Sequence, residues 1–251
     1  MKNLQEILLF PVRDDDARKQ FLLACLAVVA GYIIPILPLF LLMGYCAKVM
    51  RQVIDERKRP SMPEWQGSDW SEMLMDGLRI YGAQFVLMLP LLILMGCAIF
   101  ATFGGSMTMA VSAEENARAI APFGAFLFFG GFAFIMLFIL LSLPYSILIS
   151  AVGPHVATTR SFESAFRFSD WWQVFRKGFG QFLLGFAITM GISFALSLVI
   201  QFAMLTIVLL CLIPFLMIPL TAYLTLVTNT IYAQAYLTGR DLLGAEAHAT
   251  V

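Results

Sequence analysis

The sequence predicts an all-α fold, a polytopic helical integral membrane protein of about six membrane helices, the first two forming a proline-broken hairpin. Composition is the first of three observations behind this. Of 251 residues, 60% are hydrophobic and 13% charged, against about 45–50% apolar and about 25% charged in a soluble domain, so polar side chains are too few to cover a water-facing surface. Second, ionisable residues vanish from four stretches: Gln20 to Ala47, Ile80 to Ala113, Ala119 to Pro154 and Gly178 to Gly239. Third, Lys and Arg concentrate in alternate connections, as the basic character of cytoplasmic flanks requires. The 16 Lys+Arg offset 16 Asp+Glu to a net charge of +0, which leaves no broad electrostatic footprint for nucleic acid.

Residues 1–20 read as a cytoplasmic interfacial segment. Asn3 to Phe10 suits a short helix with Leu4, Ile7, Leu8 and Phe10 toward lipid, and Asp14, Asp15 and Asp16 oppose a signal peptide, whose leader is positively charged. Phe21 to Met50 is interrupted at Ile34-Pro35-Ile36-Leu37-Pro38. Either one kinked helix crosses here, or Phe21 to Ile34 enters, the prolines turn the chain, and Pro38 to Val53 returns. A single crossing splits the Lys and Arg residues 11 against 5 between the two sides, whereas a hairpin splits them 15 against 1, and the basic-inside rule favours the hairpin with both termini cytoplasmic. Its first arm, at 1.5 Å per residue, covers only about 21 Å, and such re-entry is tolerated only under a protein cover.

A hydrocarbon core of about 30 Å needs about 20 apolar residues. The next two gaps therefore each hold one span, Gln84 to Phe103 and Phe123 to Ser150. The last gap is long enough for two helices, Gly178 to Met204 and Phe215 to Tyr236, with the turn placed at Leu209 to Pro214 because proline interrupts helical hydrogen bonding. Residues 21–239 thus form one membrane domain, followed by a cytoplasmic tail, 240–251.

Two junctions recur at an offset of 101 residues: Ser68-Asp69-Trp70 with Glu72 and Gly77, and Ser169-Asp170-Trp171 with Gln173 and Gly178. Asp followed three residues later by Glu or Gln has capping-box spacing, and the adjacent Trp suits headgroup depth. All four tryptophans, Trp65, Trp70, Trp171 and Trp172, fall in the two loops that the charge split puts in the cytoplasm. With the Ile34 to Pro38 and Ile213-Pro214 breaks, these junctions predict two related halves, 21–110 and 122–239. Their order differs, because the hairpin precedes the Asp-Trp junction in the first half and follows it in the second.

Gly44-Tyr45 with KVMRQVIDERKRPSMPEW, then Ser68-Asp69-Trp70 and LMDGLRI, resembles a prokaryotic multi-pass membrane family, domain of unknown function 4013. The second half is similar to it in AFRFSDWWQVFRKGFGQFLLGF and in the Ile213-Pro214 break. The matching segments cover most of Gln20 to Arg240, the PEW, DW and DGL run being the most specific, and Glu114 to Ala121 carries no match. The resemblance implies a multi-pass protein of the cytoplasmic membrane of a bacterium or archaeon. It implies no activity, and no functional residue is carried over.

Cys25, Cys46, Cys97 and Cys211 lie in apolar segments with no metal-ligand spacing, and His155 and His248 stand far apart, so neither a metal nor a cofactor is expected. Ser142, Ser146 and Ser150 recur at one-turn spacing, but no base sits in a membrane helix to activate them, so the chain is expected not to be an enzyme. The absence of carboxylate, His or Lys from the spans also opposes ion-coupled transport. Thr189, Ser193, Ser197 and Gln201, and Thr221, Thr225, Thr228, Asn229 and Tyr232, make two further polar stripes. Helix packing accounts for such stripes, since small hydroxyl residues allow close approach and cross-link neighbours; a solute-lined groove is the alternative. The Arg57-Lys58-Arg59 run, with Lys48 and Arg51, serves the topology signal and could hold anionic headgroups, and Trp65 beside it, with Trp70, Trp171 and Trp172, suits a cytoplasmic docking surface. The expected role is a non-enzymatic membrane scaffold or partner subunit contacting the bilayer and a membrane or cytoplasmic protein partner, with oligomeric state open. A carrier or channel for a neutral or lipid-like solute is the runner-up.

Overall fold

The structure, a computed structural model, describes residues 4–34, 36–65, 67–112, 115–204 and 207–249. Among them every regular element is a helix: α1 (Leu4–Leu9), α2 (Asp15–Ile33), α3 (Leu37–Ile54), α4 (Trp70–Val111), α5 (Ala121–Ile149), α6 (Val152–Thr159), α7 (Phe168–Met204) and α8 (Ile207–Ala249), with short 3-10 turns between several of them. Among the described residues five stretches are long and apolar enough to cross a membrane: Leu37–Ile54, Trp70–Val111, Arg118–Thr159, Phe168–Phe202 and Phe215–Glu246. The sixth arm, α2, falls outside this set. Its first turn and a half carry Asp15, Asp16, Arg18 and Lys19, leaving an apolar run from Phe21 to Ile33 that reaches only about 20 Å.

The helices divide into two compact units, residues 1–84 with 150–251, and residues 85–149. In the first unit α2 and α3 are separate helices that pack on each other, with Gly31 against Leu39. Between them the backbone turns at Ile36, whose φ is +82°, a region that a branched side chain enters only under strain; Pro35 lies outside the described residues. The N-terminal segment departs from the expected lipid-facing helix. Ile7 and Phe10 are fully buried in protein, because α1 packs on α8 and the Tyr223 hydroxyl donates to the Leu8 carbonyl at 3.0 Å.

Two helix crossings organise this unit, and both are built on glycine. A Cβ at Gly44 of α3 would fall 1.7 Å from the Met73 carbonyl oxygen, and one at Gly77 of α4 would fall 1.8 Å from the Phe40 carbonyl oxygen. Backbone therefore touches backbone. At the α7–α8 crossing, a Cβ at Gly239 would fall 2.4 Å from the Val174 carbonyl oxygen and one at Gly178 would fall 3.2 Å from that of Ala235. The 101-residue offset carries Met73 and Gly77 onto Val174 and Gly178, and an offset of 195 carries Phe40 and Gly44 onto Ala235 and Gly239. The same offsets carry Asp76 onto Lys177 and Arg51 onto Glu246, and both pairs are ion pairs, with the signs exchanged between helices.

Helix boundaries differ from expectation in three places. The Asp170–Gln173 capping box does not form as placed, because α7 starts at Phe168 and Asp170 lies inside its first turn, its amide donating to the Arg167 carbonyl at 3.0 Å. The turn expected at Leu209 to Pro214 is helical, since α8 starts at Ile207 and runs through Pro214 and Pro219. A proline removes one backbone bond, and in membrane helices neighbouring groups compensate for it. Finally α6, unanticipated, inserts a short buried helix after the third span.

In the second unit, the part of α4 from Phe85 onward pairs with α5. A Cβ at Gly105 would lie 2.3 Å from the Phe128 amide nitrogen, and one at Gly131 would lie 2.4 Å from Thr102 Oγ1. Pro90 and Pro144 sit inside these helices. The Tyr145 hydroxyl donates to the Leu87 carbonyl, next to the backbone bond that Pro90 cannot make. Outward the unit presents Phe100, Phe103, Phe126 and Leu140, largely exposed, the surface a hydrocarbon solvent would cover.

Candidate functional site

The residues named from sequence fall into four groups. The Arg57-Lys58-Arg59 run leaves α3 through a turn in which Arg57 has a φ of +51°, and it is held by ion pairs at its surface: Arg57 with Asp241 at 2.6 Å, Lys58 with Glu56 at 2.6 Å and Arg59 with Glu6 at 3.1 Å. All are substantially exposed, and such pairs contribute about 0–1 kcal/mol each. The connection then folds back onto α3. The Tyr45 hydroxyl donates to the Pro63 carbonyl at 2.8 Å, Trp65 stacks on Tyr45 with centroids 4.7 Å apart, and the Trp65 amide donates to Gln20 Oε1 at 3.1 Å. The PEW run is thus a strap that seals the end of α3.

The four tryptophans separate by role. Trp65 and Trp70 line an apolar groove of about 460 Å³ together with Leu23, Leu41 and Leu74, and Trp70 is 54% exposed. Trp171, at the position equivalent to Trp70, does not offer a surface. It is 2% exposed, and its indole N–H donates to the Ala165 carbonyl at 3.0 Å, because the chain before α7 folds over it. Trp172 remains accessible and belongs to an aromatic ladder: it stacks on Phe168 with centroids 5.1 Å apart and on Phe175 at 5.6 Å, and Phe175 meets Phe179 edge-on at 5.7 Å.

The polar stripes are only partly brought together. Ser142 and Ser146 donate to the carbonyls of Ile139 and Leu143 in their own helix, both at 2.8 Å, and Ser150 is buried. On α8, Thr225 donates to the Thr221 carbonyl and Asn229 Nδ2 to the Thr225 carbonyl, both at 2.8 Å. These donors are spent on backbone. Ser193, Ser197 and Gln201 of α7 instead face Thr221 of α8 across a cleft of about 330 Å³, where Gln201 Nε2 donates to Ser197 Oγ at 3.3 Å. Thr189 has a buried hydroxyl near Tyr232 that completes no hydrogen bond of ordinary geometry.

Two buried polar centres escaped the sequence reading. Asp76, 3% exposed, is held by Arg51 at 2.6 Å and by Arg79 at 3.1 Å, while Arg51 also donates to the Ala157 carbonyl of α6 at 3.3 Å. Lys48 pairs with Asp69 at 2.5 Å. The signal was present in LMDGL, a single acid inside an apolar run. His155 is the second centre. Its Nδ1 lies 2.8 Å from the Tyr236 hydroxyl while its Nε2 is buried without a partner, and Thr158 and Thr159 each donate to its carbonyl at 2.9 Å. The α6 helix is thereby pinned between α3 and α8. Cys46 is buried, Cys25 half-buried and Cys97 exposed, all as free thiols; the side chains of Cys211 and His248 lie outside those described. Among the described residues no three His, Cys, Asp or Glu side chains gather in a group able to hold a metal ion.

No curated protein and no solved structure matches the chain. The model of one family, described as "Protein of unknown function (DUF4013)", matches residues 27–209, a stretch that takes in the Tyr45–PEW strap, the Asp76 centre, both Asp-Trp junctions and α6. With most of its length so matched, the chain belongs to the DUF4013 family.

Proposed function

We propose that this protein is a non-enzymatic scaffold or partner subunit of a prokaryotic cytoplasmic membrane, with both termini and both Trp-bearing loops in the cytoplasm. The aromatic ladder at the start of α7 carries the reading. Phe168, Trp172 and Phe179 are exposed while ordered by ring contacts that run through Phe175, and in the turn before them the exposed Phe162 and Phe166 meet edge-on at 5.2 Å. Aromatic side chains are enriched where proteins dock, and rings already ordered by stacking lose little freedom on binding. The equivalent glycine crossings support two related halves with exchanged hairpin order. A photo-reactive phenylalanine analogue replacing Trp172 is expected to give one discrete protein adduct in membranes, and the same analogue at Phe103 none. Adducts to lipid alone at Trp172 would remove the partner reading.

Orientation is tested separately. Gln5→Cys and Ala113→Cys, each as the only cysteine, are expected to react with an impermeant thiol reagent from opposite sides of the membrane. Labelling from the same side would reverse the assignment of the loops.

A second reading, a carrier for a neutral or lipid-like solute, is favoured by the cleft between Ser193, Ser197, Gln201 and Thr221. The donors that Ser142, Ser146, Thr225 and Asn229 give to their own backbones weigh toward packing and keep the scaffold reading first.

A further inference from the structure

A cavity of about 610 Å³ opens between α1, the end of α3, α7 and α8, separate from the aromatic ladder and from the polar stripes. Its lining crosses a chemical boundary. Gln181 and Gln234 belong to the stretch from Gly178 to Gly239 that contains no ionisable residue, whereas Arg57, Lys58 and Arg59 belong to the basic connection. Val53 and Leu237 line the same space. An occupant that fills the space is therefore charged at one end and enters the charge-free stretch at the other.

The charged end has both signs. Arg57 and Arg59 face Asp241 and Glu6 across pairs at 2.6 and 3.1 Å, and both guanidinium groups are well exposed. Pairs of that kind are weak, so an incoming phosphate that offers several acceptor oxygens to the two arginines competes with them at small cost. Lys58, the third cation of the lining, already pairs with Glu56 at 2.6 Å, so the displaced Asp241 carboxylate then needs a cation. A primary ammonium supplies three N–H donors for carboxylate oxygens. A quaternary ammonium supplies none and is recognised by aromatic faces, yet no Phe, Tyr or Trp is among the residues lining this cavity. A simple anionic headgroup would leave Asp241 facing like charge.

We infer that this cavity binds the headgroup of a zwitterionic glycerophospholipid bearing a primary amine, with phosphate at Arg57 and Arg59, ammonium at Glu6 and Asp241, and the acyl chains leaving on the far side of Gln181 and Gln234. The glycerol and ester region falls beside Gln234, whose amide N–H groups match ester carbonyls.

The test uses the full-length protein in bilayers of equimolar phosphatidylethanolamine, phosphatidylcholine and phosphatidylglycerol with identical chains, followed by gentle release and native mass spectrometry of the retained lipid. Phosphatidylethanolamine is expected to be retained about tenfold over each of the others, the ratio for one well-formed charge-assisted contact. Glu6→Gln with Asp241→Asn is expected to bring the ratio to about one, Arg57→Gln with Arg59→Gln to lower retention of all three, and Glu72→Gln, which like its partner Arg160 lies outside the cavity, to change nothing. Thermal unfolding checks that each variant is folded. A measurement needing no variant stands beside these: glycerophosphoethanolamine should displace the retained lipid from the unaltered protein, and glycerophosphocholine should not. Equal retention of the ethanolamine and choline lipids, a preference for phosphatidylglycerol, or an ethanolamine preference that survives in the folded Glu6/Asp241 variant overturns the assignment.

Discussion

Gly44→Ala is expected to cost more than about 3 kcal/mol and to leave little folded protein, as read by thermal or denaturant unfolding in detergent. The new methyl would start 1.7 Å from the Met73 carbonyl oxygen, a contact that no rotamer change relieves because both partners are backbone. The helices must separate, and overpacking of a rigid contact costs about 1–3 kcal/mol or more. A graded series makes the claim specific. Gly239→Ala, where the nearest atom is the Val174 carbonyl oxygen at 2.4 Å, should cost less than Gly44→Ala and still more than about 1 kcal/mol. Gly104→Ala meets nothing within 4 Å and should be neutral or stabilising by up to about 1 kcal/mol, the helix-propensity difference. If all three variants melt together, the crossings are not what holds the first unit.

Removal of Arg51 should come next in size. Arg51→Leu leaves the Asp76 carboxylate buried with only Arg79 beside it, at 3.1 Å and one turn away. Breaking a buried pair by removing one partner costs about 3–5 kcal/mol, and the remaining arginine puts the expectation near the lower figure. The double variant Arg51→Leu, Asp76→Leu should recover part of the loss, since no charge then lies unpaired in the interior and apolar replacements of such pairs are tolerated. A double variant less stable than Arg51→Leu alone would show that the pair is not acting as a unit. Unfolding of the four proteins of the cycle under one condition provides the reading.

The glycine and charge centres also show how far the sequence could be read. The spans themselves were legible. Phe123 to Ser150 became α5 within two residues at each end, and the spans expected from Gln84 and from Gly178 lie inside α4 and α7, because a membrane helix is written in composition alone. Helix starts were read unevenly: the capping-box spacing at Asp69 puts a helix start at Trp70, where α4 begins, whereas α7 begins at Phe168, ahead of Asp170. What the spacing does not show is that α4 carries Asp76 inward to meet Arg51, a pairing of residues 25 apart that no gap count can see. The matching of Gly77 with Gly178 was visible as a recurrence, yet its meaning was not, because the residues it answers to, Phe40 and Ala235, share no sequence likeness. They contribute only carbonyl oxygens. Trp171 failed as a surface residue for a related reason: its cover is the Ala165 carbonyl of a 3-10 turn, and nothing in the composition of Glu163 to Phe166 announces that the chain doubles over the indole. Of the polar residues named as a site, Ser193, Ser197, Gln201 and Thr221 share a cleft, while Ser142, Ser146, Thr225 and Asn229 satisfy themselves within one turn, a choice made by side-chain rotamers rather than by spacing.

The seat of α1 has an implication for how the chain is made. Leu4–Leu9 is synthesised well before α8, yet Ile7 is covered by packing on α8, and Tyr223 reaches back to the Leu8 carbonyl. These residues therefore wait through synthesis of more than two hundred others before their partner exists. A nascent chain carries an uncovered greasy segment for that whole interval, and the clasp closes only once α8 has been made.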